Sequence, residues 1–482
     1  MKIVQVTAEF APIAKAGGLG EVLVGLSREL VRQGDEVEVI LPKYDFLHFD
    51  KISQVTKNVY ITEYQGCRLH LIDSPEHFHG GKIYGAEDLI GRFLYFSRAA
   101  LEYLEERGEP IDILHLHDWH TAFCAPLMKD VFKKRVSVKG ILLTIHNGEY
   151  QGQCSPADLD AIGVQGEHYL TPERLQDDDP KTPEMINLLK GGIVYSDAVN
   201  TVSPTYAQEI LTPEMGFHLD ATCRKYRSKL SGILNGIDQN LWNPKVDPAL
   251  LAHYDGESSL ETILKAKAKN KRVLHERFHL DLKKGPWIGG VTRIVSQKGP
   301  ELLKETLKET VEKGGVFILL GSAPQEPKLR AEFYALKAEY AGHPQVLLHF
   351  EYDETLAHEI YAALDFLIVP SLFEPCGLTQ LIAMHYGTVP IVRATGGLKD
   401  TVFDCEDPTV PASKRNGFTF PGATAASLRS ALDRAFHLFH TDPVTFQILI
   451  RRGMQLDFSW KKPAQVYKKL YVKIQSIPTK NI

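Results

Sequence analysis

Positively charged side chains stand beside glycine-rich turns in both halves of this 482-residue sequence. Lys15 precedes Gly17 and Gly18 near the start of the chain. Arg293 and Lys298 flank a second turn, in the stretch RIVSQKG. Backbone N–H groups in such turns and at helix N-termini bind anions, and a lysine or arginine adds a full charge. If the two halves face each other, the three cations converge, and we expect a diphosphate between them.

A carboxylate follows in the stretch VPSLFEPCGLTQ, which begins at Val369. The apolar strand ends at Pro370, Glu374 lies in the next loop, and CGLTQ starts a helix whose free N–H groups point towards an anion. A carboxylate at such a place can accept hydrogen bonds from sugar hydroxyls and stabilise an oxocarbenium-like centre. Lys298, Arg293 and the helix N-terminus would take the charge of the leaving diphosphate. These residues predict glycosyl-transfer chemistry.

The opening turn has two possible interpretations besides an anion site. A dinucleotide fingerprint requires G-x-G-x-x-G, but Gly18 and Gly20 are followed by Leu23 where the third glycine belongs. The second strand also ends in Leu41–Pro42 rather than in an acid that could hold a ribose. A solvated turn stays open for this stretch alone, because glycine mainly marks backbone freedom. The partner loop in the second half favours the anion site.

The pattern of apolar residues predicts the elements that position these side chains. A strand at Ile3–Thr7, an amphipathic helix and a strand at Val37–Leu41 form a β-α-β unit. The pattern returns as a strand at Trp287–Thr292, a helix at Pro300–Lys313 and a strand at Val316–Leu320. Further strands are predicted in IDILHLH, ILLTIH, SDAVNTVS, SGILNG, QVLLHF, LDFLIVP, VPIVRA and GFTF. We therefore expect an α/β protein with two doubly wound, mostly parallel sheets.

The composition excludes several classes of partner. The formal net charge is -5, and lysine and glutamate are scattered, so the sequence predicts no nucleic-acid binding and no membrane surface. No apolar run approaches the length of a membrane span, and the N-terminal apolar stretch is too short for a signal peptide. Six cysteines lie far apart without a C-x-x-C pair. This pattern indicates a reducing cytoplasm.

Two clusters could suggest a metal, and neither supports one. The first cluster consists of His115, His117, His120 and His146. Strand alternation puts His115 and His117 on one face of the sheet, but no third metal ligand is recognisable beside them. Asp177–Asp179 lies in a proline-flanked polar segment, and we expect a solvated loop. No metal and no other cofactor is therefore expected.

Three further residues have both a structural and a functional interpretation. Trp119 and Tyr150 could stack on sugar rings, although aromatic residues of this kind also pack in cores. Cys376 is better explained as a small residue beside a helix start than as a nucleophile.

Six ordered motifs resemble those of the bacterial glycogen synthases and plant starch synthases. They are KAGGL, HLHDWHTA, TIHNGEYQG, GGIVYSDAVNTVSPTYAQEI, TRIVSQKG and FEPCGLTQ. The resemblance extends from the first strand to DFSWKKPAQVYKKLY near the C-terminus. It implies a GT-B fold, with two Rossmann-like domains facing each other across a deep cleft. The implied domains are 1–237 and 238–455, and residues 456–482 form a helix that crosses back to the first domain.

The resemblance also implies a reaction, the transfer of glucose from ADP-glucose to the non-reducing end of an α-1,4-glucan with retention of the anomer. Glu374 would hold the glucose hydroxyls, and Cys376 and Gly377 would contribute backbone N–H groups. Leu378 and Thr379 would reach a phosphate. The remaining phosphate contacts would come from Lys15, Gly17, Gly18, Arg293 and Lys298.

Three more roles follow from the same resemblance. His146 and Asn235 would contact the transferred glucose, and Tyr352 would pack on the adenine. Asp118 would lie on the acceptor side, together with Trp119 and Tyr150. The implied partners are therefore ADP-glucose and a glucan such as glycogen.

The sequence departs from the expected pattern at two positions. Glu21 stands where many members carry aspartate, which lengthens the acid by one methylene. Ile382 stands where many other retaining GT-B enzymes have a second glutamate, eight residues after Glu374. This second departure favours the starch and glycogen synthase branch. The alternatives are a UDP-glucose or other sugar-nucleotide enzyme of the same fold, and a catalytically idle glucan-binding scaffold.

Overall fold

The chain forms two compact units, each with its own buried apolar core. Unit 1 comprises residues 1–236 together with the segment that begins at Trp460, and unit 2 comprises Ile237–Ser459. The computed structural model describes residues 1–85, 87–282 and 285–476. Among these residues, no helix combines the length and the apolar character needed to cross a membrane.

Within the described residues, unit 1 is built on a nine-stranded sheet and a separate pair of short strands. Its strands are β1 (Lys2–Val6), β2 (Glu36–Pro42), β3 (Ser53–Thr56), β4 (Val59–Tyr64), β5 (Cys67–Ile72), β6 (Ile111–His117), β7 (Val138–Ile145), β8 (Gln153–Cys154), β9 (Ile186–Asn187), β10 (Ala198–Thr201) and β11 (Leu230–Gly232). The sheet order is β11-β10-β7-β6-β1-β2-β5-β4-β3, and only β3–β4 and β4–β5 pair antiparallel. The central strands are buried on both faces, as expected for a parallel sheet covered by helices.

The helices of unit 1 include the amphipathic helix predicted after the first turn. They are α1 (Gly18–Arg32), α2 (Pro75–Phe78), α3 (Leu89–Arg107), α4 (Trp119–Ala122), α5 (Cys124–Asp130), α6 (Pro156–Ala161), α7 (Leu188–Tyr195), α8 (Pro204–Glu209) and α9 (Asp220–Lys225). Short 3-10 turns lie at Gly166–His168 and Arg227–Lys229. Helix α1 follows β1 directly, so the turn with Lys15 lies at the carboxyl end of the sheet.

Unit 2 carries a parallel sheet of six strands among the residues described. They are β12 (Trp287–Val291), β13 (Val316–Leu320), β14 (Val346–His349), β15 (Phe366–Val369), β16 (Val389–Arg393) and β17 (Phe418–Phe420). The order β14-β13-β12-β15-β16-β17 is the Rossmann order 3-2-1-4-5-6. Its helices are α10 (Leu260–Phe278), α11 (Pro300–Glu312), α12 (Pro327–Glu339), α13 (Glu354–Ala363), α14 (Thr379–His385), α15 (Gly396–Thr401), α16 (Ala425–Thr441) and α17 (Pro443–Gln455). A 3-10 turn lies at Ser296–Lys298.

The last helix, α18 (Lys461–Gln475), belongs to unit 1. Its residues Tyr467 and Tyr471 are fully buried. The Tyr467 hydroxyl accepts a hydrogen bond from Asn200 Nδ2 at 2.9 Å, and the Tyr471 hydroxyl lies 3.0 Å from His115 Nδ1. These two bonds satisfy polar groups in the core and fix the helix on β6 and β10.

The predicted fold class is confirmed, and two details of the strand prediction change. The strand predicted in SGILNG ends at Gly232, so Asn235 lies in an irregular loop beyond the sheet edge. Strands β3 to β5 were not predicted. The turn between β4 and β5 has positive φ at both Gln65 and Gly66, which is the type I′ geometry of a two-residue hairpin. Gln-Gly is a weaker signal for this turn than Asn-Gly, and β3 is largely exposed.

Candidate active site

The two chemical motifs of unit 2 meet where the strand order of its sheet reverses. Strands β12 and β15 are neighbours in the sheet, and their following loops leave from the same carboxyl edge. Lys298 comes from the first loop and Glu374 from the second. Lys298 Nζ lies 2.6 Å from Glu374 Oε2, and Ser371 Oγ donates to the same oxygen at 2.8 Å. A cation and a carboxylate predicted from separate motifs are therefore directly paired.

Gln297 fastens these two loops to each other. Its backbone carbonyl accepts a hydrogen bond from the Leu372 N–H at 2.8 Å, and its side-chain Nε2 donates to the Phe373 carbonyl at 3.2 Å. Gln297 is 5% exposed, so both bonds are shielded from water. The position of Lys298 relative to Glu374 is thus set by the neighbouring residue as well as by the ion pair.

A close backbone approach holds Glu374 from the other side. The Gly397 N–H donates to the Glu374 carbonyl at 3.0 Å, at the start of α15. A Cβ on Gly396 would lie 1.9 Å from that carbonyl oxygen, and a Cβ on Gly397 would lie 2.2 Å from the Cys376 carbonyl oxygen. The glycine pair is therefore needed for the loop to carry Glu374 where it is.

Helix α14 begins beside this loop without a side-chain cap on its first N–H groups. Gln380 Nε2 instead donates to the carbonyls of Cys376 and Gly377, at 3.1 and 2.9 Å, and so holds the turn that enters the helix. Cys376 is 4% exposed. The backbone N–H contacts predicted for Cys376 and Gly377, and the phosphate contacts predicted for Leu378 and Thr379, stay predictions.

Arg293 and Tyr352 are the exposed residues among the site residues predicted in unit 2. The Arg293 side chain is exposed and pairs with no acid among the residues that the structure describes. Tyr352 follows β14 and is 75% exposed, and its hydroxyl donates to Glu354 at 2.5 Å. An exposed ring fixed at its hydroxyl end is a suitable surface for a purine to stack on. The adenine contact itself stays a prediction.

In unit 1, Lys15 is paired with the acid that departs from the family pattern. Lys15 Nζ lies 2.9 Å from Glu21 Oε1, in the first turn of α1. Both side chains are partly exposed, so the pair itself adds little stability. The longer acid thus reaches the predicted phosphate-binding lysine.

A buried glutamate that the sequence analysis missed shapes the same turn. Glu9 is 2% exposed, and its Oε2 accepts hydrogen bonds from the N–H groups of Ala16 and Gly17, each at 2.8 Å. The Tyr84 hydroxyl donates to Oε1 at 2.7 Å. One N–H group that we expected to face a diphosphate is therefore already bound by a carboxylate. The signal in the sequence was an acid directly after a buried strand, in VTAEF.

Asp118 lies at the carboxyl end of β6 in an unusual backbone conformation, with φ of 55°. Its Oδ1 accepts hydrogen bonds from the N–H groups of His146 and Asn147, at 2.6 and 3.2 Å. Burial raises the pKa of Asp118 to about 7, against the lowering effect of these two bonds. Strain and a shifted pKa at the end of a strand are typical of functional residues.

The other residues predicted on the unit 1 side differ in accessibility. The side chain of Tyr150 is accessible to solvent, with 49% of the residue exposed. Trp119 is 5% exposed and packs edge to face on Phe93 at 5.4 Å, so it serves the core. Asn235 is 7% exposed, and its Oδ1 has no hydrogen-bond partner within the described part of the chain. An orphaned buried oxygen of this kind suits a ligand hydroxyl.

The aspartate run Asp177–Asp179 is not the solvated loop that we expected. Asp177 is buried and accepts hydrogen bonds from three side chains, namely Gln153 at 2.5 Å, Thr182 at 2.8 Å and Asn187 at 2.9 Å. Asp178 pairs with the buried Lys190 at 2.6 Å. The prediction was wrong because burial depends on partners that are distant in sequence. No cluster with the geometry of a metal site occurs in the residues described, here or at the histidines of β6.

Acidification is expected to destabilise unit 1, because four of its buried histidines are held neutral. Burial lowers the pKa of His70 to about 4 and of His120 to about 3, and those of His115 and His117 lie well below 6.5. The unfolded chain therefore binds more protons below pH 6.5, and stability falls as the pH falls. Asp118 has the opposite effect on stability, because its raised pKa means that the folded chain binds its proton more tightly than the unfolded chain does. Each histidine should cost about 1 kcal/mol between pH 7 and pH 5.5.

Calorimetric unfolding at several pH values tests this expectation. In the variant His70→Gln, the pH dependence should weaken by about one proton, since one neutral histidine is removed. Stability that is constant or rises between pH 7 and pH 5.5 would contradict it.

Comparisons with known proteins agree with the fold and place the chain in a family. A model of the starch synthase catalytic domain matches residues 2–225, and one of group 1 glycosyl transferases matches residues 274–438. The catalytic domain of starch synthase IV from Arabidopsis thaliana, solved with ADP and acarbose, is 42% identical. Its TM-score is 0.92, and 99% of each chain is covered. A sucrose-phosphate synthase from Thermosynechococcus elongatus shares the fold at 20% identity, with a TM-score of 0.62 and 98% of each chain covered.

Two Rossmann-like units with these neighbours define a glycosyltransferase of the GT-B class. Among curated proteins, the glycogen synthase of Protochlamydia amoebophila is 45% identical in an alignment that covers 100% of both chains. The probable starch synthase 4 of Arabidopsis thaliana is 42% identical over 98% of this chain and 47% of its own length. The chain belongs to the glycogen synthase and starch synthase family.

Proposed function

We propose that this enzyme transfers glucose from ADP-glucose to the non-reducing end of an α-1,4-glucan and retains the anomeric configuration. The observation that carries the proposal is the Lys298–Glu374 pair at the carboxyl edge of the unit 2 sheet. A cation that meets a leaving diphosphate, directly beside a carboxylate that binds sugar hydroxyls, suits a sugar nucleotide. The ADP and acarbose bound to the related starch synthase IV support the same substrate classes.

In the proposed reaction, unit 2 binds the donor. Lys298 has three N–H donors, so its bond to Glu374 leaves two for phosphate oxygens. Arg293 and the N–H groups at Gly377, Leu378 and Thr379 add to the positive field, and Tyr352 stacks on the adenine. As the glycosidic bond breaks, charge grows on the diphosphate, and these groups bind it more strongly than they bind the ground state.

Unit 1 contributes the contacts to glucose and acceptor. His146 and Asn235 bind hydroxyls of the transferred glucose, and Lys15 adds a charge near the phosphates. Asp118 and Tyr150 lie on the acceptor side, where the pKa of about 7 suits Asp118 to exchange a proton near neutral pH. We also propose a cytoplasmic location, which the six cysteines support, since none forms a disulfide within the described residues.

A donor panel tests the proposal. Transfer to glycogen and nucleotide release are measured with ADP-glucose and UDP-glucose, with and without glycogen and with excess EDTA. We expect ADP-glucose to be preferred at least ~10-fold in kcat/KM, or about 1.4 kcal/mol, because stacking and one base-edge contact can supply that difference. Activity should persist in EDTA, since cations of the protein take the place of a divalent metal.

The possible outcomes separate the alternatives. Equal rates with both donors would contradict the assignment that Tyr352 stacks on the adenine. Nucleotide release without transfer to glycogen would indicate a different sugar-nucleotide enzyme, and glycogen binding without any release would indicate a scaffold. Activity that EDTA abolishes and manganese restores would contradict the metal-free mechanism.

A further inference from the structure

Four polar side chains form a hydrogen-bonded chain through the core of unit 1, and the last of them is His146. Gln5 Nε2 donates to Ser27 Oγ at 2.7 Å, and Gln5 Oε1 lies 2.9 Å from His117 Nε2. His117 Nδ1 lies 3.0 Å from His146 Nε2. Ser27, Gln5 and His117 are fully buried, whereas His146 is partly accessible. The reaction as described above uses only His146.

The order of donors along this chain sets the tautomer of each histidine. The Gln5 nitrogen is directed at Ser27, so the Gln5 oxygen faces His117, and an oxygen of an amide can only accept. His117 must then carry its proton on Nε2, which leaves Nδ1 as an acceptor. His146 Nε2 is therefore the donor of the last bond, and His146 Nδ1 keeps a lone pair.

The surroundings keep both rings neutral, as this order requires. Burial lowers the pKa of His117 and of His146 below the ordinary value. His115 packs against His117 with ring centres 4.1 Å apart and ring planes tilted by 39°, but its own nitrogens are occupied by Tyr471 and Thr144. His115 therefore supports the ring of His117 without joining the chain of bonds.

We propose that Gln5 and His117 are positioning residues that hold His146 in the Nε2–H tautomer, so that Nδ1 accepts a hydrogen bond from a hydroxyl of the transferred sugar. The proposal rests on the proposed function, in which His146 contacts the glucose. In the described part of the chain, His146 Nδ1 makes no hydrogen bond. A lone pair aimed at a sugar that gains positive charge is favourable, whereas an N–H dipole there would oppose the charge.

Nitrogen-15 spectra of the full-length enzyme with labelled histidine test the tautomer directly. The His146 signals are assigned by comparison with His146→Asn. In the wild type, we expect a protonated Nε2 and an unprotonated Nδ1. Gln5→Leu should produce both tautomers and lower kcat with ADP-glucose about 10-fold, with KM within about 3-fold of wild type.

One further variant keeps the test valid if Gln5→Leu folds poorly. Ser27→Ala removes the group that orients the Gln5 amide and should also give mixed tautomers, at a smaller change in shape. Tyr471→Phe is the matched control, because it removes a bond to the neighbouring His115 and should leave His146 unchanged.

A wild-type spectrum with the proton on Nδ1 of His146 would overturn the proposal. So would an unchanged tautomer in both Gln5→Leu and Ser27→Ala, or a mixed tautomer in Tyr471→Phe. The spectra need no substrate. Failure of the wild type to use ADP-glucose therefore contradicts the proposed function, whereas the spectra decide the positioning role.

Discussion

Replacing Lys298 by alanine is expected to lower kcat about 100-fold or more, because the residue meets charge that grows as the diphosphate leaves. The change also leaves Glu374, which is 5% exposed, without its cationic partner at 2.6 Å. Only the hydrogen bond from Ser371 Oγ at 2.8 Å then holds that oxygen, so the buried carboxylate loses the charged partner that fixes its position towards the sugar. Initial rates with saturating ADP-glucose and glycogen measure the effect.

Lys304→Ala is the matched control for this prediction. Lys304 also belongs to unit 2 and also pairs with acids, Glu301 of α11 at 2.7 Å and Glu332 of α12 at 2.9 Å, neither of which lies on the loops that carry Lys298 and Glu374. Its removal should leave kcat unchanged, since exposed pairs contribute little. If Lys298→Ala raised KM alone, Lys298 would bind ground state and transition state equally, and its assigned role would be wrong.

The elements of the fold were predictable because their signals are local. The helix predicted at Pro300–Lys313 is observed at Pro300–Glu312, and the strand predicted at Trp287–Thr292 is observed at Trp287–Val291. A proline at the first turn and the apolar spacing mark such a helix within its own segment. Strands β3 and β4 carry mostly exposed or half-buried residues, and the Gln65–Gly66 turn before the buried strand β5 is a weak hairpin signal, so the sequence pattern did not indicate these strands.

The pairing of Lys298 with Glu374 depends on topology rather than on either motif. The residues are 76 positions apart, and they meet because β12 and β15 are adjacent at the point where the strand order reverses. Each motif predicted an anion site, and the general rule for open parallel sheets predicted that such loops face one another. The sequence could therefore indicate the meeting of these loops, while the 2.6 Å contact required the structure.

Buried polar partners were the part of the site that the sequence could not reveal. Glu9 binds the turn before α1, and Gln5 orients His117, but neither stands in a recognisable motif. Asp177 had a polar, proline-flanked setting and is nevertheless buried among Gln153 and Asn187. In each case the hydrogen bond joins residues that only the tertiary fold brings together, so residue type and spacing could not predict the contact.

The variant Gly396→Ala is expected to lower kcat about 100-fold, because it acts on the backbone that carries Glu374. Gly396 has φ of 47°, where an L side chain is strained, and its Cβ would lie 1.9 Å from the Glu374 carbonyl oxygen. The carbonyl oxygen belongs to the backbone and not to a flexible side chain, so the loop itself must shift to relieve the clash. A displacement of about 1 Å at Glu374 is enough to misplace it relative to Lys298 and the substrate.

Gly422→Ala separates this effect from a general response to losing a glycine. The nearest atom to its Cβ would be 3.6 Å away, and its N–H bond to Ser427 Oγ at 3.1 Å is retained. This variant should keep wild-type kcat and gain about 0.5 kcal/mol of stability from the reduced freedom of the unfolded chain. Thermal unfolding identifies a Gly396→Ala protein that is folded but inactive, which is the expected result. Wild-type kcat in folded Gly396→Ala would show that the loop tolerates the shift and that the backbone position of Glu374 does not limit catalysis.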